Sequence, residues 1–375
     1  MFDEHDKNPR SLDMKKIFLA TVFVLVFYFF SGLVLANSSQ EEQLEAIVTR
    51  VLEEKQVEVM QKKQLYQKLE LTVMSGSQEN KKIIVENGNM PLANEQKYHL
   101  DDKVIVSTMK GMDGKIIYYI SDYMRRDVLI ILFVIFILVT IFIAKWRGLM
   151  SLLGMAISFL IIFSFILPQI ASGANPVEIA ILGSLVIIPV SFFLSHGFNR
   201  KTFVAIVGTL IALVITGILS NIFVDTAHLT GFASEEAGFL QVIKQGTINM
   251  KGLLLAGIII GVLGVLDDIT ISQSSIVFQL KETNSRLTMD ELYKRAMDVG
   301  QDHISSMVNT LILVYTGAAL PLLLLFINNP HPFSEIINYE IIADEIVRTL
   351  VGSIGLVLSV PITTFVATMI ASGKK

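Results

Sequence analysis

The chain has 375 residues, 52% hydrophobic and only 17% charged, with a mean hydropathy of +0.60, whereas soluble domains carry roughly 25% charged residues. Its formal charge is -4, from 30 basic against 34 acidic residues, so it offers no basic face to nucleic acid. Cysteine is absent, which excludes disulfides, thiolate metal sites, iron–sulfur clusters and a cysteine nucleophile.

A helix needs about 20 apolar residues to cross about 30 Å of hydrocarbon. Stretches of that kind occur at about 16–36, 127–145, 148–168, 176–195, 202–224, 252–272, 304–327 and 346–371. One alternate set of flanking segments holds Lys7, Arg10, Lys15, Lys16, Lys145, Arg147, Arg200, Lys201, Lys281, Arg286, Lys294, Arg295, Lys374 and Lys375. The opposite short loops, 169–175, 225–251 and 328–345, hold only Lys244 and Lys251. This bias places both termini in the cytoplasm and residues 37–126 outside. The expected fold is therefore an α-helical polytopic membrane protein of about eight transmembrane helices. A small extracytoplasmic β-barrel-like domain lies between helices 1 and 2. The divisions are a tail with the first helix (1–36), the external β domain (37–126) and a seven-helix membrane domain (127–375). The first span reads as a retained anchor, or alternatively as a signal peptide cut after Ala36; its apolar stretch from Ile17 is longer than a typical signal core.

In the external segment, the runs "EAIVTRVL", "YQKLELTVMS", "KKIIVEN", "KVIVSTM" and "KIIYYIS" are β-branched and partly alternating, with turn-prone stretches between them. They predict five short strands in a barrel of the OB or SH3-like type. The first run also reads as a helix. No triad, metal spacing or phosphate loop occurs here, so the segment is expected to be a lid or docking module without chemistry.

The sixth span carries Asp267 and Asp268, and an Asp at mid-membrane costs about 2.5–3.5 kcal/mol on the insertion scale. Gly257, Gly261, Gly264, Asp268, Ser272 and Ser275 follow one another at helical spacing, so one stripe is small or polar. Small residues let a second helix approach closely, which directs the carboxylate toward an interface or a wet cavity. Polar residues recur on the seventh span (Ser305, Ser306, Asn309, Thr310, Thr316), on the eighth (Ser359 and Thr363, with packing glycines Gly352 and Gly355) and on the fifth (Thr209, Thr216, Ser220). With the carboxylates they outline a polar seam. Arg348 is the only spanning cation. The cytoplasmic loop opens a helix with a Thr288 to Glu291 capping pattern. Asp225, His228, Glu235 and Glu236 in an outer loop match no metal template.

The run "GLLLAGIIIGVLGVLDDITISQSS", then "RAMDVGQDHISSMVNTLILVYTGAALPLLLL" and the Arg348–Ile370 span, resembles the YibE/F family of bacterial multispanning membrane proteins. The external "VMSGSQENKKIIVENG", "YHLDDKVIV" and "YYISDYMRRDVLI" agree in order. The resemblance implies a bacterial plasma-membrane protein with no assigned substrate. A weaker likeness is to the membrane half of resistance-nodulation-division exporters and of SecD and SecF. It implies proton binding at Asp267 and Asp268, with Ser306, Asn309 and Thr310 as relay partners, and a homodimer, because such exporters pair two half-folds. The chain differs from them in two extra spans before the acidic one and in lacking the basic residue that some place opposite the carboxylates. The expected function is ion- or proton-coupled transport of an unassigned small substrate or ion across the lipid bilayer, with no cofactor and no enzymatic chemistry. The alternative is a non-transporting assembly or accessory protein whose external domain docks a partner. An intramembrane aspartyl protease is disfavoured, because it needs its two Asp on facing helices and these two are consecutive.

Overall fold

The computed structural model describes residues 43–60, 62–75, 78–89, 96–110, 116–327 and 331–373. The expected first span, 16–36, and its signal-peptide alternative lie outside the described residues. Two compact units divide the chain at the Val139/Thr140 boundary.

In the first unit, strands β1 (Gln43–Val59), β2 (Lys62–Ser75), β3 (Lys82–Asn87), β4 (Lys103–Lys110) and β5 (Ile116–Tyr123) form one antiparallel sheet in the order β3-β2-β1-β4-β5. Leu44, Ala46 and Val48 on β1 meet Leu69, Leu71 and Val73 on β2 in a core completed by Ile83, Val85, Tyr98, Val104 and Val106. This period-two burial makes the first run a strand and excludes its helical alternative, since in a helix residues two apart point away from each other. The sheet curls without closing. β3 and β5 are its two edges, so the sheet is a half-barrel, in keeping with the β-barrel-like domain expected. Gly88, at φ +87°, lets the chain leave β3 against the Leu65 carbonyl, which a Cβ would approach to 2.0 Å. Buried Gln67 clamps the 96–102 segment: its Nε2 donates to the Tyr98 carbonyl (3.0 Å) and its Oε1 accepts from the Tyr98 N–H (2.8 Å).

The long helix α1 (Arg126–Ile161) begins where Arg126 grips Glu45 through two nitrogens, at 2.8 and 3.3 Å. It is broken at Lys145 (φ 53°, ψ -132°). A Cβ on Gly148 would lie 2.6 Å from the Thr140 carbonyl oxygen, although eight residues along an unbroken helix span about 12 Å. The chain therefore turns back on itself here, at the junction expected between the stretches 127–145 and 148–168. A π-helical turn (Ile162–Ile166) follows, then the short α2 (Leu167–Ala171). Pro168, which has no N–H to donate, accounts for the irregularity.

The remaining helices are α3 (Pro176–His196), α4 (Arg200–Thr226), α5 (Glu235–Ile243), α6 (Met250–Thr283), α7 (Met289–Ala318), α8 (Leu320–Ile327), α9 (Phe333–Ile336) and α10 (Glu340–Ser372). Local chemistry sets the starts of several. Asn175, Asn199, Ser234 and Asn249 each accept a backbone N–H at the N-cap, and Thr288 with Glu291 forms a complete capping box. Five helices among the described residues are long and apolar enough to cross a membrane, counting Arg126–Ala171 as one. The 304–327 stretch is not one straight span: α7 and α8 meet at a 70° bend, just before Pro321. α6 is central, packed against α3, α4, α7 and α10. Its buried residues include Leu255, Ile258, Val262, Leu266 and Ile269, and also the polar Thr270, Gln273 and Ser274.

Candidate functional site

The two carboxylates of α6 part company. Asp267 turns inward, where the Ser191 hydroxyl of α3 donates to its Oδ2 at 3.4 Å, while its buried Oδ1 has no hydrogen-bond partner. Consecutive helical residues point about 100° apart, and Asp268 is accordingly exposed on the flank of the bundle. His196, the last residue of α3, lies within electrostatic reach of both Asp268 and Arg147. Arg147, Ser195 and His196 line a cavity of about 520 Å³ with Trp146 and Phe198. α1 packs close to α3 at this point: a Cβ on Gly154 would sit 3.5 Å from the Ser191 Cα and 3.7 Å from the Ser195 hydroxyl. Ser191 and Ser195, one turn apart, thus lead from the unpaired carboxylate toward a cavity that holds a histidine and an arginine.

Below Asp267 the interior of α6 stays polar. The Thr209 and Thr270 hydroxyls are 2.7 Å apart. Gln273, fully buried, donates to the Ala296 carbonyl (2.9 Å) and to the Thr364 hydroxyl (2.7 Å), and its Oε1 has no partner. Ser274 donates to the Lys201 carbonyl at 2.9 Å. The buried Thr363 hydroxyl is unpartnered as well, pressed against Gly208 of α4. Such orphans are uncommon, because burying a polar group without a partner costs about 1–3 kcal/mol. Three of them, on Asp267, Gln273 and Thr363, fall along the contacts of α6 and α10.

The sequence-predicted residues are distributed unevenly around this group. Ser272 and Ser275 are partly buried on α6. Ser305, Ser306, Asn309 and Thr310 are exposed on α7, and Ser305 and Thr310 donate back to the Gln301 and Ser306 carbonyls of their own helix. α7 reaches the polar interior instead through Gly300, whose missing side chain leaves room for Gln273 and Val360. Gly352 and Gly355 face neighbouring helices, with a Cβ on Gly355 only 2.0 Å from the Thr216 hydroxyl. Among the described residues, Gly257 and Gly264 have nothing within 4 Å of a Cβ, and Gly261 meets only the Tyr315 hydroxyl of α7 at 3.7 Å. Arg348 is engaged by Glu345 at 3.1 Å, at the far end of the bundle from the carboxylates. Among the described residues no group of His, Asp and Glu is arranged to hold a metal; Asp225 is paired with Lys251 and Asn221.

Reading the sequence for stripes missed Ser191, Ser195, His196, Arg147 and Gln273. Gln273 had a legible signal, because it shares the helical face of Leu266, Thr270 and Val277, all buried. Ser191 had none, since only the packing of α3 on α6 brings it to Asp267.

Long apolar helices enclosing buried polar side chains define a helical membrane protein. The chain belongs to the YibE/F-like protein family, whose model matches residues 132–373. Comparison with curated proteins and with solved structures returned no match.

Proposed function

We propose that the chain is an ion- or proton-coupled transporter of the bacterial plasma membrane, with Asp267 and Asp268 as the coupling pair. In this reading about eight spans cross the bilayer, with both termini cytoplasmic and the β domain outside. The supporting observation is the inward Asp267, held among the described residues by Ser191 alone and with one carboxylate oxygen unpaired, in a helix whose other contacts are largely apolar. A buried carboxylate is costly to keep, and one whose second oxygen is free can take a proton or a cation without first breaking a hydrogen bond. His196 and Arg147 extend the pair toward the basic, cytoplasmic loops. Coupling then consists of two helix packings whose balance shifts when the carboxylate changes charge.

The test is difference infrared spectroscopy of the reconstituted protein after an imposed pH jump. A carboxyl stretch that responds and disappears in Asp267→Asn is the expected result. An unchanged carboxyl region, or a response retained in both Asp267→Asn and Asp268→Asn, would remove the reading.

The accessory reading draws on a different feature. Between the edges of the half-barrel lies an open cavity of about 540 Å³, lined by Ile84, Gly88, Met109, Ile116, Ile117 and Tyr119. Ile84, Ile116 and Ile117 are each about half exposed there, which suits a partner that adds a strand or a short apolar segment. Deleting residues 43–123 separates the two readings: the carboxyl response survives the deletion if the pair serves transport.

A further inference from the structure

A second cavity, of about 530 Å³, opens at the end of the bundle opposite the basic loops, where α5, the start of α6, Tyr315 of α7 and the start of α10 converge. Its wall carries Glu236, Asp344 and Glu345 against one cation, Arg348. Arg348 is engaged by Glu345 at 3.1 Å, and among the described residues no ion pair reaches Glu236 or Asp344. Asp344 is only 7% exposed and its Oδ1 has no hydrogen-bond partner. A carboxylate so placed costs free energy unless a ligand supplies the missing partner. Apart from Ser234 and Tyr315 the rest of the lining is apolar, including Ala237, Leu240, Leu253 and Leu254, and Gly257 and Gly261 line it from α6. A Cβ on Gly257 would meet nothing within 4 Å, so the glycine leaves the depth of the cavity open.

We infer that this cavity is a binding site for a small organic monocation, an ammonium group carried on an apolar body, with Asp344 as its counter-ion. The size fits a small-molecule pocket of the ordinary kind, mostly apolar with a few convergent polar groups. A bare divalent metal does not fit, because no set of three carboxylate or imidazole groups converges among the described residues. An anion would face three carboxylates against one guanidinium, which Glu345 already engages at 3.1 Å and whose buried Nε is left without a partner among the described residues. The glycines continue along the same face of α6 through Gly264 to Asp268, so a cation released from the cavity faces a small-residue track toward the second carboxylate. The transporter reading gives the site its role, but binding itself does not depend on it.

The experiment is isothermal titration calorimetry on the full chain in nanodiscs. The probes are phenethylammonium, its neutral analogue phenylethanol and its anionic analogue phenylacetate, each corrected against empty nanodiscs. Phenethylammonium is expected to bind, and at least about tenfold more tightly than the alcohol. Asp344→Asn should weaken it about tenfold or more, and Gly257→Leu, which fills the cavity from an open position, should abolish it. Asp267→Asn should leave it within about twofold, so that loss of the carboxyl infrared response and loss of cation binding report separate failures. If Asp344→Asn does not fold, Gly257→Leu and Glu236→Gln decide. No saturable binding of phenethylammonium, equal binding of the alcohol, preference for phenylacetate, or unchanged affinity in Gly257→Leu would each overturn the assignment.

Discussion

Ser191 and Asp267, 76 residues apart in sequence, meet at 3.4 Å across the contact of α3 with α6, and that hydroxyl is the only hydrogen-bond partner of the carboxylate among the described residues. The contact is long, so its worth lies at the lower end of about 1.5–3 kcal/mol for a hydrogen bond to a charged group. Ser191→Ala is therefore expected to destabilise the protein by at most about 1.5 kcal/mol. It should nevertheless shift the frequency of the carboxyl stretch assigned by Asp267→Asn, while the band removed by Asp268→Asn stays in place. A Ser191→Ala spectrum identical to that of the unaltered chain would separate the two residues.

The glycines predict opposite outcomes for one and the same substitution. Gly355→Ala places a methyl 2.0 Å from the Thr216 hydroxyl, and Gly208→Ala places one 2.3 Å from that of Thr363. Each should cost about 1–3 kcal/mol, the range for overpacking a core. Gly264→Ala meets nothing within 4 Å and should be neutral or slightly stabilising, because alanine has the higher helix propensity. Thermal melting of the three variants in one detergent checks the order.

Gln273 ties α6 to α7 and α10 through the Ala296 carbonyl and the Thr364 hydroxyl. Gln273→Leu keeps the volume but removes both inter-helix hydrogen bonds, at about 0.5–1.5 kcal/mol each, while the Thr364 hydroxyl keeps its bond to the Val360 carbonyl. The loss should be local first: amide hydrogen exchange is expected to speed up over residues 289–300 before the rest of the bundle responds. Uniform acceleration along the whole chain would instead mean that Gln273 acts only through global stability.

Burial, followed by the neighbouring Tyr123 and Asp122, pushes the Tyr98 phenol up from its ordinary 10.0 to about 12. A folded value above the unfolded one stabilises the fold fully below pH 10, and this contribution is lost as pH rises through 12. A spectrophotometric titration should accordingly leave one tyrosine protonated at about pH 11 that is missing from the titration of Tyr98→Phe. Full ionisation by that pH in the folded protein would show that the Tyr98 ring does not pack into the core of the sheet.

The carboxylates, the capping box and the strands were legible because each rests on local chemistry. Asp267 and Asp268 stand out as charges in an apolar run, Thr288 and Glu291 are spaced for reciprocal capping, and Leu44, Ala46 and Val48 alternate. Less legible was which of the two adjacent Asp turns inward, because both faces of α6 carry small or polar residues. Gly257, Gly261 and Gly264, expected as a helix-packing stripe, have no close helix contact among the described residues beyond Tyr315 on Gly261, since the inward contacts of α6 run along its large apolar face.

By itself, the sequence determined the membrane class, the β segment and the presence of an acidic pair, because apolar length, period-two alternation and a charge in an apolar run are properties of short stretches. The tertiary structure alone decided that Ser191 reaches Asp267, that Gln273 bridges three helices and that Glu236, Asp344 and Arg348 share one cavity. Those relations join residues tens to more than a hundred positions apart, and only the angles and depths at which the helices pack bring such groups within a few ångströms.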